Sequence, residues 1–249
     1  MKLIRLTMIL VCVCFATAVM ADELSDLLAK HYEASGGLER IKAVKTIRMT
    51  GKMNMQGMEA PFTVWAMRPG KVRIEFSLQG MTGIQATDGQ TAWQIMPFMG
   101  KTEAEPMSED EAKELNEQAD IDGVLVDWKE KGHQVELAGM EDVEGTSCYK
   151  IKVITKNGDE RYIYIDAEYF LQIRSEGKRK MQGTEVETFT SFGDFKDEGG
   201  LMMPHVMESG IKGTEFKQTL TFETVELNPA VDPSMFTMPA KPAAAPQQN

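Results

Sequence analysis

Cysteine and histidine are scarce in this chain, with three of each among 249 residues. Cys12 and Cys14 lie in an apolar run near the N-terminus, so a chain cleaved after that run keeps only Cys148. A single cysteine excludes an internal disulfide, and the core alone must hold the fold even in an oxidising compartment. Cys148 alternates with Tyr149, Ile151 and Val153 in a strand-like run and reads as structural. His31, His133 and His205 do not stand at metal-ligand spacing from one another or from a cysteine, so no zinc motif is present. Basic residues are also short: 27 Lys and Arg against 38 Asp and Glu, for a net charge of −11. That balance excludes a nucleic-acid binder, which needs cations to neutralise phosphates, and its plain consequence is solubility. It also disfavours electrostatic docking on anionic lipid. No Gly-rich phosphate loop opens a helix and no strand–helix alternation appears, which excludes a nucleotide-binding fold. "ADIDG" (119–123) opens like a calcium loop, but counted from Asp120 the twelfth position, where a bidentate Glu belongs, is Lys131. No serine sits in a nucleophile elbow. No cofactor, no metal and no enzyme activity are expected.

What is present begins with a targeting segment. In "MKLIRLTMILVCVCFATAVMA" (1–21), Lys2 and Arg5 precede an apolar stretch from Leu6 to Phe15, and Val19-Met20-Ala21 offers a small-residue cleavage site. The stretch is too short for a membrane-spanning anchor. Cys12 and Cys14 each follow a valine inside the run, which is not the context of a lipidated N-terminus. Removing Lys2 and Arg5, with no acidic residue, moves the net charge from −11 to −13. A soluble periplasmic product is expected, with one folded domain over 22–239 and a disordered Ala/Pro tail over 240–249.

Residues 23–35 read as an amphipathic helix, with Leu24, Leu27, Leu28 and His31 on one face and Gly36-Gly37 as a stop. A short second helix is expected over 38–44. From Thr46 the period changes to two: Ile47, Met49, Met53 and Met55 alternate with Arg48, Thr50, Lys52 and Asn54. Strand-like runs recur at 61–68, 71–79, 82–88, 91–97, 133–139, 147–155, 160–166, 170–176, 183–195, 202–209 and 214–227. Turn signals such as Gln56-Gly57, Pro69-Gly70, Asp88-Gly89, Asn157-Gly158 and Gly199-Gly200 separate them. The pattern predicts a mainly β, meandering antiparallel sheet of about 11–12 strands. One helix, 106–122, interrupts it, with Ser108 and Glu111 as a capping box and Met107 and Ala112 as a staple. Its apolar stripe of Ala112, Leu115 and Ala119 is narrow, which suits a surface helix linking two halves of a sheet or a movable cover.

The strongest positive signal is apolar excess. Sixteen methionines remain after residue 21, several on strands beside Phe76, Phe98, Trp65 and Trp93. Methionine fits variable apolar partners, although it also fills ordinary cores. Composition does not explain "FTVWAM" and "TAWQIMPFM", which are apolar on both strand faces. A sheet wet on one side needs only one apolar face. Either both sides of this region are covered, or one lines a cavity.

The stretch 65–98 resembles the core of the LolA-type periplasmic lipoprotein carriers. Matching positions are Trp65, Arg68, Pro69, Asp88, Gly89, Thr91, Trp93, Pro97 and Phe98; the family's Asn before Pro is Met96 here. Asn228, Val231, Asp232 and Phe236 match its closing segment, and Asp194, Gly200 and Pro204 its late hairpin. The resemblance implies an unclosed antiparallel half-barrel whose concave face, covered by helices, shelters acyl chains. It implies that the Arg before Pro, here Arg68, takes part in opening and closing the cover. Trp65, Met67, Arg68, Ile74, Phe76, Trp93, Ile95, Phe98 and Leu115 are then the expected ligand-binding residues. The ligand would be an acylated lipoprotein or a related lipid, and the partners those of lipoprotein sorting at the inner and outer membranes. Segment 103–122 and "DGVLVDWKEKGH" depart from the carrier pattern, which marks a divergent member. LolB-type receptors are lipidated, unlike the chain expected here. An envelope sensor or interaction protein with the same fold, its cavity filled by its own side chains, is the alternative.

A carrier must bind strongly yet release. At about 0.8 kcal/mol per methylene, a sixteen-carbon chain offers on the order of 10 kcal/mol of transfer free energy. A Met-rich lining under a lightly packed helix suits both demands.

Overall fold

The structure, a computed structural model, describes residues 22–181 and 183–240. The expected targeting segment, and the tail beyond Ala240, lie outside the described residues. Helices α1 (22–34) and α2 (Leu38–Ala43) precede five strands: β1 (Thr46–Met55), β2 (Met58–Met67), β3 (Lys71–Leu78), β4 (Met81–Thr87) and β5 (Ala92–Met96). A 3-10 turn (Pro97–Met99), β6 (Lys101–Pro106) and α3 (Glu109–Gln118) follow. The remaining strands are β7 (Gln134–Val143), β8 (Thr146–Ile154), β9 (Glu160–Asp166), β10 (Gln172–Met181), β11 (Thr184–Glu198), β12 (Leu201–Ile211) and β13 (Lys217–Leu227). A second 3-10 turn spans Pro233–Phe236.

The strands form one 13-stranded sheet in the order β6-β5-β4-β3-β2-β1-β13-β12-β11-β10-β9-β8-β7, with β6 and β7 left as edges. The sheet is antiparallel and does not close. One strand more than expected is present, and it is β6. "KTEAEP" has no hydrophobic alternation and ends in proline, a composition suited to an edge strand and invisible to a period-2 reading. The hairpins are tight where both turn residues take positive φ, as at Gln56-Gly57 (52° and 83°) and Gln79-Gly80 (52° and 79°). Helix α3 is shorter than the sequence suggests, because 119–123 leaves the helix as a turn. Its capping box is as expected: Ser108 accepts from the Glu111 backbone, and Glu111 accepts from the Ser108 N–H.

Two compact units are distinguished. The first comprises residues to Ile41, Val124–Met203 and Glu208–Glu215. Here Leu24, Leu27 and Leu28 of α1 pack on Leu125, Leu137, Ile151, Val153, Ile163 and Ile165. Each such leucine contributes about 1.5–3 kcal/mol by leaving water. Tyr32 donates to the Leu125 carbonyl at 2.7 Å, and His31 Nδ1 meets the Phe170 carbonyl at 2.8 Å, so α1 is pinned at its C-terminal end. Helix α1 stops at Gly36, where an added Cβ would lie 2.1 Å from the Gly200 carbonyl oxygen. Cys148 is buried, and burial first, then the carboxylates of Asp166, Asp142 and Glu141, push its thiol up to about 11. It is therefore a poor nucleophile.

The second unit comprises Lys42–Gly123, Pro204–Met207 and the chain from Phe216. It holds β1–β6, α3, β13 and the second 3-10 turn, and all nine residues expected to bind ligand.

Candidate functional site

Strand register sorts the side chains of the second unit into rows running across the strands. On one face, Ile47 of β1, Ala66 of β2, Val72 of β3, Thr87 of β4 and Ala92 of β5 stand side by side. All five are buried, Val72 at 2% and Thr87 at 0% exposure. Helix α3 packs across β3, β4 and β5 at this row. The Thr87 hydroxyl donates to Asn116 Oδ1 at 2.8 Å, and Leu115 and Ala119 are buried at 2% and 1% exposure. The narrow stripe read from the sequence is thus the contact α3 makes.

The next row on the same face is Val225 of β13, Met49, Val64, Ile74, Gln85 and Gln94. Its four apolar members are only half-buried. Beyond it stand aromatic pairs seated over glycines. Gly51 lies opposite both Phe62 and Phe222, whose rings meet edge to face at 5.4 Å. Gly83 lies opposite Phe76, and a Cβ there would come within 2.8 Å of Phe76 and 2.9 Å of Phe98. At Gly83 the missing side chain makes room for the rings, with Phe76 and Phe98 5.6 Å apart, whereas at Gly51 a Cβ would come within 2.0 Å of the Thr221 carbonyl oxygen, so there the close approach is of the neighbouring strand's backbone. A half-covered apolar row therefore runs between the row under α3 and an aromatic ridge.

The opposite face carries Arg48, Trp65, Arg73, Ala86 and Trp93 in one row. The C-terminal segment covers part of it. Trp93 Nε1 donates to the Phe236 carbonyl at 2.8 Å, Arg73 Nη1 donates to the Met235 carbonyl at 2.8 Å, and the Arg73 guanidinium stands 5.6 Å from the Trp93 ring centre. Trp93 and Phe236 are both fully buried.

Both faces are apolar because α3 lies over one side of this region and the 233–236 turn over the other. The nine expected residues divide accordingly. Ile74 and Phe76 lie on the α3 face, with Phe98 against Phe76 and Leu115 buried on α3 itself; Trp65, Met67, Trp93 and Ile95 lie on the other face. Arg68 stands apart at the end of β2. Its guanidinium forms a two-point ion pair with the Asp122 carboxylate, and its Nε donates to the Val44 carbonyl. Asp122 follows α3 in the chain, so the pair ties the segment leaving α3 to the sheet. The residue that looked like part of a calcium loop is an arginine's partner. Among the described residues no group of three or more His, Cys, Asp or Glu could hold a metal ion.

Sequence reasoning did not single out Met49, Val64, Val225, Gln85, Gln94 or Asp122. Met49 and Val64 were legible as alternating strand residues. Asp122 was not, because it is 54 residues from Arg68 and only the tertiary fold brings the two together.

No family model and no curated protein matches this sequence. Solved structures do match. A domain named for outer membrane lipoprotein sorting, from Vibrio parahaemolyticus, is 12% identical, with a TM-score of 0.58 over 85% of this chain and 94% of that one. A DUF1329 family protein from Desulfovibrio piger is 12% identical, with a TM-score of 0.59 over 83% and 95%. A LolA superfamily protein from Nitrosomonas europaea is 11% identical, with a TM-score of 0.55 over 83% and 96%. At such identities the likeness shows the fold alone, an unclosed antiparallel sheet shared with these structures. Among the described residues no helix is long and apolar enough to cross a membrane.

Proposed function

We propose that this protein is a periplasmic carrier that shelters an acyl chain of a lipoprotein, or of a related lipid, beside α3 for transfer toward the outer membrane. The observation that carries the reading is the half-buried apolar row Val225, Met49, Val64 and Ile74, left between α3 and the aromatic ridge. A finished core would bury this row completely, whereas a carrier needs apolar cover that a ligand can complete. The fold shared with a lipoprotein-sorting domain and a LolA superfamily protein supports the same class.

Helix α3 acts as the cover and the Arg68–Asp122 pair as its latch. Ile74, Phe76, Phe98 and Leu115 contact or border the ligand. Trp65, Met67, Trp93 and Ile95 act from the other face, by holding the strands against the C-terminal segment. Release requires the latch to open and the row to be exposed, which costs less than freeing a fully interdigitated core.

The test is organic extraction and mass spectrometry of protein purified from a periplasmic fraction, with titration of a fluorescent fatty acid into the stripped protein. Co-purifying lipid and saturable uptake are expected. Protein that carries no lipid and takes up no probe overturns the carrier reading and leaves the sensor alternative.

A further inference from the structure

The half-covered row is not apolar to its end. After Val225, Met49, Val64 and Ile74 it continues into Gln85 of β4 and Gln94 of β5, which face each other directly across the two strands. Gln94 is 5% exposed and Gln85 is half-buried. Two primary amides are tolerated at the end of an apolar row only where their hydrogen-bonding groups reach a partner or water, and both serve equally to receive a ligand's polar group. Within the protein they are largely unused. Gln94 Nε2 reaches Glu105 Oε1 on β6 at a long 3.5 Å, and Glu105 itself is engaged by Lys101 at 2.5 Å. A carboxylate can bond only the donor end of an amide, so this contact turns Gln94 Oε1 away from Glu105. Beyond that long contact neither amide is seen bonding another described residue, and since no buried side-chain polar atom is left unsatisfied, the free amide groups reach water that a ligand can replace.

We propose that Gln85 and Gln94 form a polar station that receives the hydrogen-bonding group of an acyl-bearing ligand whose chain lies along Ile74, Val64, Met49 and Val225. The inference rests on the carrier reading and specifies its ligand class: an amphiphile with an uncharged amide, ester or hydroxyl group at one end of its chain. Gln94 Oε1 accepts from an amide N–H or a hydroxyl, whereas an ester, which has no donor, only accepts from the Gln85 amide. The chain then runs across the strands, beside the row that α3 covers. From β4 to β13 there are four inter-strand steps, about 19 Å at the usual spacing, which is room for a long acyl chain. A charged head is disfavoured, since the cation beside the station, Lys101, is already paired with Glu105. The station thus separates a neutral acyl group from a free fatty acid and from a plain hydrocarbon.

The experiment is displacement of a fluorescent fatty acid from the full-length protein by dodecanamide and by 1-chlorododecane, which share a chain and differ in hydrogen-bonding capacity. One or two net hydrogen bonds correspond to a preference for the amide of about five- to thirtyfold. Gln85→Met and Gln94→Met keep side-chain shape and remove the amides. In either variant the preference should fall toward unity while 1-chlorododecane displaces the probe as well as before. A preference that survives in both variants, with the fold intact by circular dichroism, overturns the station and leaves the carrier reading standing. Wild-type protein that binds the probe but shows no preference also overturns it. Wild-type protein that binds neither the probe nor dodecanamide, and that carries no extractable lipid, overturns both.

Discussion

Asp122→Asn should loosen α3 without disturbing the sheet beneath it. The Asp122 side chain is 9% exposed and that of its partner Arg68 is 28% exposed. Removing one member of a buried pair costs about 3–5 kcal/mol, whereas an exposed pair is worth about 0–1 kcal/mol. Arg68 keeps its bond to the Val44 carbonyl and is partly reached by water, so the loss should be intermediate, about 1–2 kcal/mol. For a chain of this size each kcal/mol lowers Tm by about 2–4 °C, so a fall of about 2–8 °C is expected. The effect should be local first. Amide exchange in residues 109–118 should accelerate by about five- to thirtyfold, the equivalent of that free energy, while core strands such as β8 change less. Dissociation of a bound fluorescent fatty acid should speed up by a similar factor. A double-mutant cycle with Arg68→Met isolates the pair, and a coupling above about 0.5 kcal/mol is expected. Unchanged exchange across α3, together with a coupling indistinguishable from zero, would refute the latch.

Trp93→Phe removes the donor that satisfies the Phe236 carbonyl inside a dry contact. A cost of about 1–3 kcal/mol is expected, read as a shift in the urea midpoint and as faster proteolysis of the C-terminal segment. Gly83→Ala places a Cβ within 2.8 Å of Phe76 and 2.9 Å of Phe98, and overpacking of this kind costs about 1–3 kcal/mol. Gly83→Ala combined with Phe98→Ala should recover part of that loss, and calorimetry of the variants tests this. Burial lowers the pKa of His31 below its ordinary 6.5, against the opposing bond to the Phe170 carbonyl. As pH falls through 6.5 the unfolded chain takes up a proton first, so stability present above that value declines until the folded-state pKa is reached. Urea midpoints between pH 7.5 and 5 should therefore fall on the acid side, and His31→Leu should flatten that part of the curve.

Much of the sheet was legible from alternation, because a strand with one wet face must repeat every two residues. The turn pairs, the α1 stripe and the Ser108 capping box were equally local, and each appears as read. Strand β6 escaped because an edge strand has little to bury, and its charged residues follow no hydrophobic period. The candidate site was half legible. The apolar excess around Trp65 and Trp93 marked the right strands, but periodicity cannot say what lies on either side of them. Only the cross-strand register put Ile74 beside Val64 and Met49, and only the course of the C-terminal segment put Trp93 under Phe236.

The sequence by itself determined an antiparallel β protein with two amphipathic helices, no metal motif and an apolar surplus needing cover. Those features depend on neighbours one to four residues apart, whose spacing sets which face each side chain takes. The tertiary structure alone decided that α3 covers one face and residues 233–236 the other, that Arg68 is held by Asp122, and that Gln85 and Gln94 end the open row. Such pairings depend on which distant segments meet, and the cost of closing a loop grows too slowly with length to leave a mark in local sequence.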